Sequence, residues 1–265
     1  MTIAIFGAGV MGETLLSGLL RSGLAPGEVV ITERRADRAA ELEAKYGVRA
    51  LTNAEGAAVA DVLVFVVKPQ DMTALLAEIG DQIAPGNLVV SLAAGVPTQA
   101  IAAGLPEGTP VVRVMPNTPA LVDQGMAALS RGAHVTDEQM ERAMSLLRSC
   151  GRAIEVSEGY QNAVTAISGS GPAYVFYVVE AMIEAGVVLG LPRETATELT
   201  VQTLFGAATM IRETGTHPTV LREQVTSPGG TTAAALRTLD DHKVRAAFVS
   251  AIEAAARRSR ELAET

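Results

Sequence analysis

The 265-residue chain has no tryptophan, and aromatic residues make up only 3% of it. With so few aromatic side chains, its core has to be built from aliphatic residues and alanine. Cys150 is the only cysteine, which excludes an intrachain disulfide and suits a reducing compartment. The three histidines, His134, His217 and His242, are scattered and have no carboxylate or cysteine at metal-ligand spacing. The sequence therefore predicts no metal site.

The chain has fewer basic than acidic residues. It contains 21 Lys and Arg and 29 Asp and Glu, which give a net charge of −8. Such a balance argues against nucleic acid or an anionic membrane as a partner. Glycines at 7–12 interrupt any apolar signal core at the start. The most apolar later segment, 173–191, contains Glu180 and Glu184 and is short for a membrane span. We therefore expect a cytoplasmic protein.

A glycine fingerprint begins at residue 7. A short apolar run at 2–6 leads into the G-x-G-x-x-G turn of residues 7–12, and a segment with helical periodicity follows. Dinucleotide-binding sites require this strand–turn–helix context. Gly7 would allow the tight turn, Gly9 would let the backbone approach a pyrophosphate, and Gly12 would let the helix pack closely on the strand. A plain strand–turn–helix connection without a nucleotide is the alternative.

The next predicted turn carries mixed signals about the nucleotide. Residues 28–32 are predicted to form the second strand, and Glu33 follows about 20 residues after the fingerprint, where an acidic side chain accepts from a ribose 2′-hydroxyl. Arg34 and Arg35 come next, and guanidinium groups at this place favour a 2′-phosphate. They also fit the solvated start of a helix that begins at Asp37. The sequence favours NADP slightly over NAD.

Alternating strands and helices over residues 1–158 predict a doubly wound α/β sheet with right-handed crossovers. Further strands are predicted at 61–67, 88–92, 111–115, 125–129 and 153–156, with a helix at 137–149 capped by Thr136. From residue 159 to 265 strand signals are missing and helical periodicity runs throughout. We therefore predict an N-terminal dinucleotide-binding domain, 1–158, and an all-helical domain, 159–265.

The helical part favours an oligomer. Its first long predicted helix, 173–189, is apolar on more than one face. The stripe formed by Val175, Val178, Val179 and Met182 has no obvious place to bury within so few helices. A second copy of the chain would cover this stripe. One tight bundle is the alternative.

A diglycine loop is the strongest candidate for chemistry in the helical part. Residues 227–232, Ser-Pro-Gly-Gly-Thr-Thr, lead into a helix and would expose consecutive backbone N–H groups as a small anion nest. Thr231 and Thr232 add hydroxyls that donate or accept hydrogen bonds. The loop fits a site for a carboxylate beside a polar, reducible atom. It equally fits an ordinary helix start with a threonine cap.

Several segments together give the chain a family resemblance. They are GAGVMG at 7–12, VKPQ at 67–70, RVMPNTP at 113–119, SGSGPAY at 168–174 and VTSPGGTT at 225–232. In this order, over nearly the whole chain, they resemble the pyrroline-5-carboxylate reductase family. The last segment is specific to that family, whereas the first is shared by many dehydrogenases. The resemblance implies reduction of the cyclic imine 1-pyrroline-5-carboxylate to L-proline by NAD(P)H, the last step of proline biosynthesis.

The resemblance also implies an architecture and a set of site residues. The fold would be a Rossmann-type domain followed by a helical dimerisation domain, with dimers assembling into larger rings such as a decamer. The implied cofactor contacts are Gly7, Ala8, Gly9, Val10, Met11, Gly12, Arg34, Arg35, Asn53, Val67, Lys68, Pro69, Ala94 and Asn117. The implied substrate contacts are Ser227, Gly229, Gly230, Thr231 and Thr232. Thr232 would be the catalytic residue and would face the imine nitrogen.

Two other functions fit parts of the sequence. Hydroxyacid dehydrogenases of the 3-hydroxyacid or 6-phosphogluconate type share a G-x-G-x-M-G turn and a helical second domain. They need a lysine general acid/base on the first helix after the sheet, and residues 159–166 contain no lysine. A nucleotide-sensing protein on the same scaffold would bind NAD(P)H without consuming it. The loop at 229–232 argues against that second alternative.

Overall fold

One eight-stranded sheet organises the first part of the chain. The computed structural model describes residues 1–263. The strands are Ile3–Phe6 (β1), Val29–Thr32 (β2), Arg49–Leu51 (β3), Val62–Phe65 (β4), Leu88–Ser91 (β5), Val111–Met115 (β6), Gly125–Arg131 (β7) and Gly151–Glu155 (β8). Their order in the sheet is β3-β2-β1-β4-β5-β6-β7-β8. The chain therefore reverses its direction of winding between β1 and β4, where doubly wound sheets bind ligands.

Pairing in the sheet follows the apolar runs of the sequence. β1 pairs in parallel with β2 and β4, and β5 pairs in parallel with β4 and β6. β1, β2, β4 and β5 are buried at every position, as strands covered on both faces are. The predicted crossover pattern is wrong at β7, which runs antiparallel to β6. Residues 116–124 between them hold only a short turn of helix, and a parallel return needs a longer crossover.

Helices cover both faces of the sheet, and the described chain after β8 contains helices without further strands. They are Val10–Arg21 (α1), Ala36–Tyr46 (α2), Asn53–Val59 (α3), Met72–Ile79 (α4), Thr98–Ala102 (α5), Asp137–Arg148 (α6), Gln161–Val164 (α7), Gly171–Val188 (α8), Arg193–Thr214 (α9), Pro218–Gln224 (α10), Thr231–Asp241 (α11) and Val244–Ala263 (α12). Alternate residues of β1 face opposite sides. Ile5 packs in a cluster with Leu16 of α1, and Phe6 packs in a second cluster with Leu75 of α4.

The predicted start of the helix after Thr136 is confirmed by its capping bond. The hydroxyl of Thr136 accepts from the Gln139 amide at the start of α6. The His217 imidazole accepts from the Thr219 amide at 3.2 Å and caps α10. β3 was not predicted, because this short strand lies at the sheet edge and has no buried residue. Its sequence therefore lacks the apolar run that marks the other strands.

The chain divides into two compact units. The sheet unit comprises Met1–Ser170 together with the C-terminal end from Ala255, and the helical unit comprises Gly171–Ala254. The second unit begins later than residue 159 because the helical residues before it are bound to the sheet. The buried Gln161 donates to the Ala128 carbonyl at 3.2 Å and to the Ser130 hydroxyl at 2.7 Å.

Little of the helical unit is buried within the chain. α8 packs against α9, and in this unit, which the structure describes completely, Ala196 and Thr200 are the only buried residues. Large apolar side chains are exposed along both helices, among them Val175, Phe176, Tyr177, Met182, Val188, Leu199, Val201 and Phe205. Two members of the predicted stripe, Val175 and Met182, are therefore exposed within this chain.

One helical run, Glu158–Val188, is long and apolar enough to cross a membrane by length and composition alone. The sequence argument that this region is too short is wrong, because the run begins well before residue 173. Glu180 and Glu184 remain within it. A single such helix is weak evidence for a membrane span, since the core helix of a soluble protein passes the same test.

Candidate active site

The glycine turn between β1 and α1 has the geometry that its sequence predicts. Gly7 has φ +94°, donates its amide to the Thr32 carbonyl at 3.0 Å, and leaves only 3.0 Å between an added Cβ and the Val66 carbonyl oxygen. A Cβ at Gly12 would collide with the Gly7 carbonyl. A Cβ at Gly9, which precedes α1, would meet nothing within 4 Å. The space beside the first turn of α1 is open, and this is the room that a pyrophosphate needs.

Glu13 lies in the first turn of α1, where a carboxylate would compete with a bound anion. Its Oε1 accepts from Lys45 Nζ at 2.8 Å and from the Tyr46 hydroxyl at 2.9 Å, and its Oε2 accepts from Arg38. The Lys45 hydrogen bond, followed by those of Tyr46 and Arg38, lowers the pKa of Glu13 to about 2. The charge of Glu13 is therefore compensated by cations of α2. The positive end of the α1 dipole stays available for an anion.

A cleft of about 300 Å³ lies at the carboxyl edge of the sheet, beside the glycine turn. The predicted cofactor residues that line it are Gly7, Arg34, Asn53, Val67 and Lys68. They meet there because β1, β2 and β4 are parallel neighbours whose carboxyl ends share one edge. Glu33 and Asp71 also line this cleft.

Asn53 and Lys68 reach the cleft from two short connections. Asn53 opens α3 directly after its cap Thr52, and its side-chain amide donates to Glu78 at 2.8 Å. Lys68 is extended at φ −68° and ψ 150° and precedes the turn Pro69–Asp71. Within residues 1–263 the Lys68 ammonium has no carboxylate partner. Lys68 is therefore a cation available to a bound nucleotide.

The side chain of Asn117, which follows β6, forms hydrogen bonds with two backbone segments. Its Nδ2 donates to the Ser168 carbonyl at 3.1 Å, and its Oδ1 accepts from the Met126 amide at 2.8 Å. With Met11 it borders a cavity of about 10 Å³ and not the 300 Å³ cleft, and such a cavity is about one water in size. The side chain of Asn117 therefore joins two backbone segments.

The segment tied to Asn117 has an irregular form that the sequence analysis missed. Thr165–Gly169 is a turn of π-helix, closed by a bond of 2.8 Å from the Ser170 amide to the Thr165 carbonyl. Helical turns of this kind are often found at functional sites. The sequence signal in this segment is the SGSGP motif at 168–172, which predicts a break before the helix at 173–189 but not a π-helical turn.

The diglycine loop in the helical unit forms a tight turn before α11. The Gly230 amide donates to the Ser227 carbonyl at 3.0 Å, and Gly229 has φ +68°. Gly230 itself is the N-cap residue and Thr231 is the first helical residue, so the threonine-cap alternative is wrong. The expectation of two free glycine amides is also wrong, because the turn uses the Gly230 amide. The Gly229 amide and the first amides of α11 remain for an anion.

Neither a metal cluster nor a reactive thiol adds to these sites in the described part of the chain. No group of three or more His, Cys, Asp or Glu side chains in residues 1–263 could hold a metal ion. Cys150 is buried, and burial raises the pKa of its thiol. A buried thiol with a raised pKa is a poor nucleophile.

Comparison with known proteins identifies the family. Residues 158–262 match the model for pyrroline-5-carboxylate reductase dimerisation, and residues 2–95 match the model for NADP oxidoreductase, coenzyme F420-dependent. The chain is 47% identical to the pyrroline-5-carboxylate reductase of Corynebacterium melassecola over 265 residues, which covers 98% of both chains. The chain belongs to the pyrroline-5-carboxylate reductase family.

Solved structures of pyrroline-5-carboxylate reductases have the same fold. That of Coxiella burnetii is 40% identical, has a TM-score of 0.95, and is matched over 100% of this chain and 99% of its own. That of Plasmodium falciparum, solved with NADP bound, is 28% identical with a TM-score of 0.88 over 99% of this chain and 98% of its own. The family resemblance and the fold class predicted from the sequence are confirmed.

Family membership also decides between the alternatives left open by the sequence. A hydroxyacid dehydrogenase and a non-catalytic nucleotide sensor are both set aside, since the named relatives are reductases. The helices with exposed apolar side chains lie within the segment that matches the dimerisation model. Association with further copies therefore covers apolar surface that a single chain leaves exposed.

Proposed function

We propose that this chain reduces 1-pyrroline-5-carboxylate to L-proline with NAD(P)H, in the last step of proline biosynthesis. The observation that carries the proposal is likeness over the full length to an enzyme named for this substrate, at 47% identity. The glycine turn, the open space at Gly9 and the adjoining cleft supply the nucleotide site that such a reductase requires.

The cofactor, when bound, supplies the hydride that the C=N carbon of the imine accepts. The residues 7–12 and the first amides of α1 would hold its pyrophosphate. Arg34, Arg35 and Asn53 would border the adenosine ribose, and Val67, Lys68, Pro69 and Ala94 would border the rest of the nucleotide. Asn117 would act through the backbone segments that it joins. We propose NADPH as the preferred form, because Arg34 and Arg35 come directly after Glu33 in the turn that follows β2.

The helical unit would hold the substrate. A protonated imine is already electrophilic, so the enzyme needs to place it more than to activate it. The Gly229 amide and the first amides of α11 would bind the substrate carboxylate, with Ser227 and Thr231 beside them. The Thr232 hydroxyl has no protein partner in the described residues and would hydrogen-bond the ring nitrogen.

The organisation of the enzyme follows from the same assignments. Residues 1–158 would form the dinucleotide-binding domain and residues 159–265 the dimerisation and substrate domain. The dimerisation match begins at residue 158, which supports this division. We propose a cytoplasmic homodimer through the C-terminal helices, with a larger ring such as a decamer built from dimers. With a net charge of −8, neither nucleic acid nor an anionic membrane is a suitable partner.

Thr232→Ala tests the reaction and the assignment together. We expect kcat/KM for the imine to fall about 100-fold, because one hydrogen bond to the reacting nitrogen is lost. The Kd for NADPH should stay within about twofold, as Thr232 belongs to the substrate site. Thr238→Ala is the matched control, since Thr238 lies on α11 and bonds only to the Ala234 carbonyl.

Two outcomes would contradict these proposals separately. Unchanged kinetics in Thr232→Ala would remove Thr232 from the mechanism and leave the reaction standing. A wild-type chain that oxidises neither NADPH nor NADH in the presence of 1-pyrroline-5-carboxylate would refute the proposed activity.

A further inference from the structure

An ion pair spans the nucleotide cleft. Arg34 follows the end of β2 and Asp71 ends the turn after β4, and Nη1 of Arg34 lies 3.2 Å from Oδ1 of Asp71. The two residues are 37 positions apart in the sequence and both line the 300 Å³ cleft. Arg34 is the side chain expected to bind a 2′-phosphate. Asp71 therefore forms an ion pair with the same guanidinium that the phosphate would use.

The neighbouring carboxylate, Glu33, is bound by Arg35 and not by Arg34. Its Oε1 accepts from the Arg35 amide at 3.0 Å and lies 3.7 Å from Arg35 Nε, and its side chain is only 12% exposed. The Asp71 side chain is 34% exposed. Asp71 is therefore the carboxylate that faces solvent directly beside the Arg34 guanidinium.

The charges along this part of the cleft are balanced. Arg34 and Lys68 contribute two positive charges, and Glu33 and Asp71 contribute two negative ones. A phosphate monoester carries between one and a half and two negative charges at neutral pH. An exposed ion pair is weak enough for a ligand to displace it, but the carboxylate charge of Asp71 would stay beside the ligand.

We propose that Asp71 limits the preference of this enzyme for NADPH by opposing the 2′-phosphate at Arg34. The proposal rests on the cofactor placement in the proposed function. NADH has no charge at the ribose 2′ position, so Asp71 leaves its binding nearly unaffected. Arg34 and Arg35 favour NADPH, and Asp71 reduces the difference in affinity between NADPH and NADH.

The test is a comparison of nucleotide affinities without the imine substrate. The Kd values for NADPH and NADH are measured from nicotinamide fluorescence, which tryptophan cannot disturb because the chain has none. A unit charge about 6 Å from a dianion changes affinity about tenfold even at the dielectric constant of water. In Asp71→Asn the ratio of Kd for NADH to Kd for NADPH should therefore rise about tenfold, with Kd for NADH changing less than about twofold.

Two further variants complete the design. Asp81→Asn removes the same charge from an exposed position outside the cleft, and it should leave the ratio unchanged. Arg34→Gln should lower the ratio, because the partner of the phosphate is lost. If Asp71→Asn were unstable, Asp71→Ser would remove the same charge with another side chain.

The outcomes separate this proposal from the proposed reaction. A ratio that stays within twofold of the wild-type value in both Asp71 variants, or equal gains for both nucleotides, overturns the role of Asp71. The same holds if the wild-type chain binds neither nucleotide. A chain that shows the shift in affinity but does not reduce the imine supports the role of Asp71 and contradicts only the reaction.

Discussion

The sheet unit and the helical unit are both rich in apolar residues, but they bury them differently. β1, β2, β4 and β5 of the sheet unit are buried at every position, whereas α8, α10 and α11 of the helical unit have no buried residue. The sheet unit therefore completes its core within one chain. The helical unit leaves its apolar surface for a second copy to cover, so its stability depends on association.

A charge placed on the exposed apolar surface of the helical unit should weaken association between copies. Of the changes considered, we expect it to have the largest effect. Phe205 of α9 is 61% exposed within the chain. We expect Phe205→Glu to weaken dimerisation by about 3 kcal/mol or more, because an unpaired charge replaces an aromatic side chain that the proposed partner copy would bury. Sedimentation over a range of concentrations measures the dissociation constant. The control is Ser145→Glu, which adds the same charge to an exposed position on α6. This variant should leave the dissociation constant of the dimer unchanged.

A cavity in the sheet unit should lower the free energy of unfolding by a comparable amount, without involving a partner chain. Phe65 is fully buried and its ring stands edge-on to that of Phe6, with centroids 5.4 Å apart. We expect Phe65→Ala to cost about 3–5 kcal/mol, through lost burial and the cavity that remains. Urea unfolding of the dissociated Phe205→Glu background isolates this cost from association.

The matched control for this cavity is Val59→Ala. Val59 is apolar but exposed at the end of α3, so its truncation should cost less than about 0.5 kcal/mol. Equal losses in the two variants would mean that the sheet unit does not hold its core independently of the partner chain.

The smallest effect concerns the pH dependence of the sheet unit. Because its cationic partners lower the pKa of Glu13 from 4.5 to about 2, its contribution is fully present above pH 4.5 and is lost as the pH falls through about 2. Glu13→Gln should be less stable than wild type at pH 7, and the difference should shrink on acidification through this window. Urea unfolding between pH 2 and 7 measures it. The control is Glu107→Gln, in an exposed loop. The free energy of unfolding of this variant should change with pH in the same way as that of the wild type.

The features that could be predicted from the sequence depend on local signals. The apolar runs of β1, β2, β4, β5 and β6, the glycine turn and the cap at Thr136 each lie within a few residues. For such features the local pattern and the final fold favour the same structure. The family resemblance added the candidate site residues, which spacing alone did not assign.

The features that could not be predicted depend on contacts between distant residues. The pair between Arg34 and Asp71 forms only because β1 lies between β2 and β4 in the sheet. The two hydrogen bonds of Asn117 connect it to β7, at Met126, and to the π-helical turn, at Ser168. The direction of β7 was missed for a related reason, since an apolar run gives the same periodicity in either orientation.

The reversal of β7 decides where the chain leaves the sheet. β8 is parallel to β7, so both strands end at the edge opposite the nucleotide cleft. The helical run from Glu158 then travels back along the sheet, past Ser130, until Ser168 meets Asn117 at the carboxyl end of β6. At 1.5 Å per residue, ten helical residues cover about 15 Å, close to the length of a five-residue strand. One antiparallel strand thus gives the chain a return path to the edge of the sheet that carries the cleft.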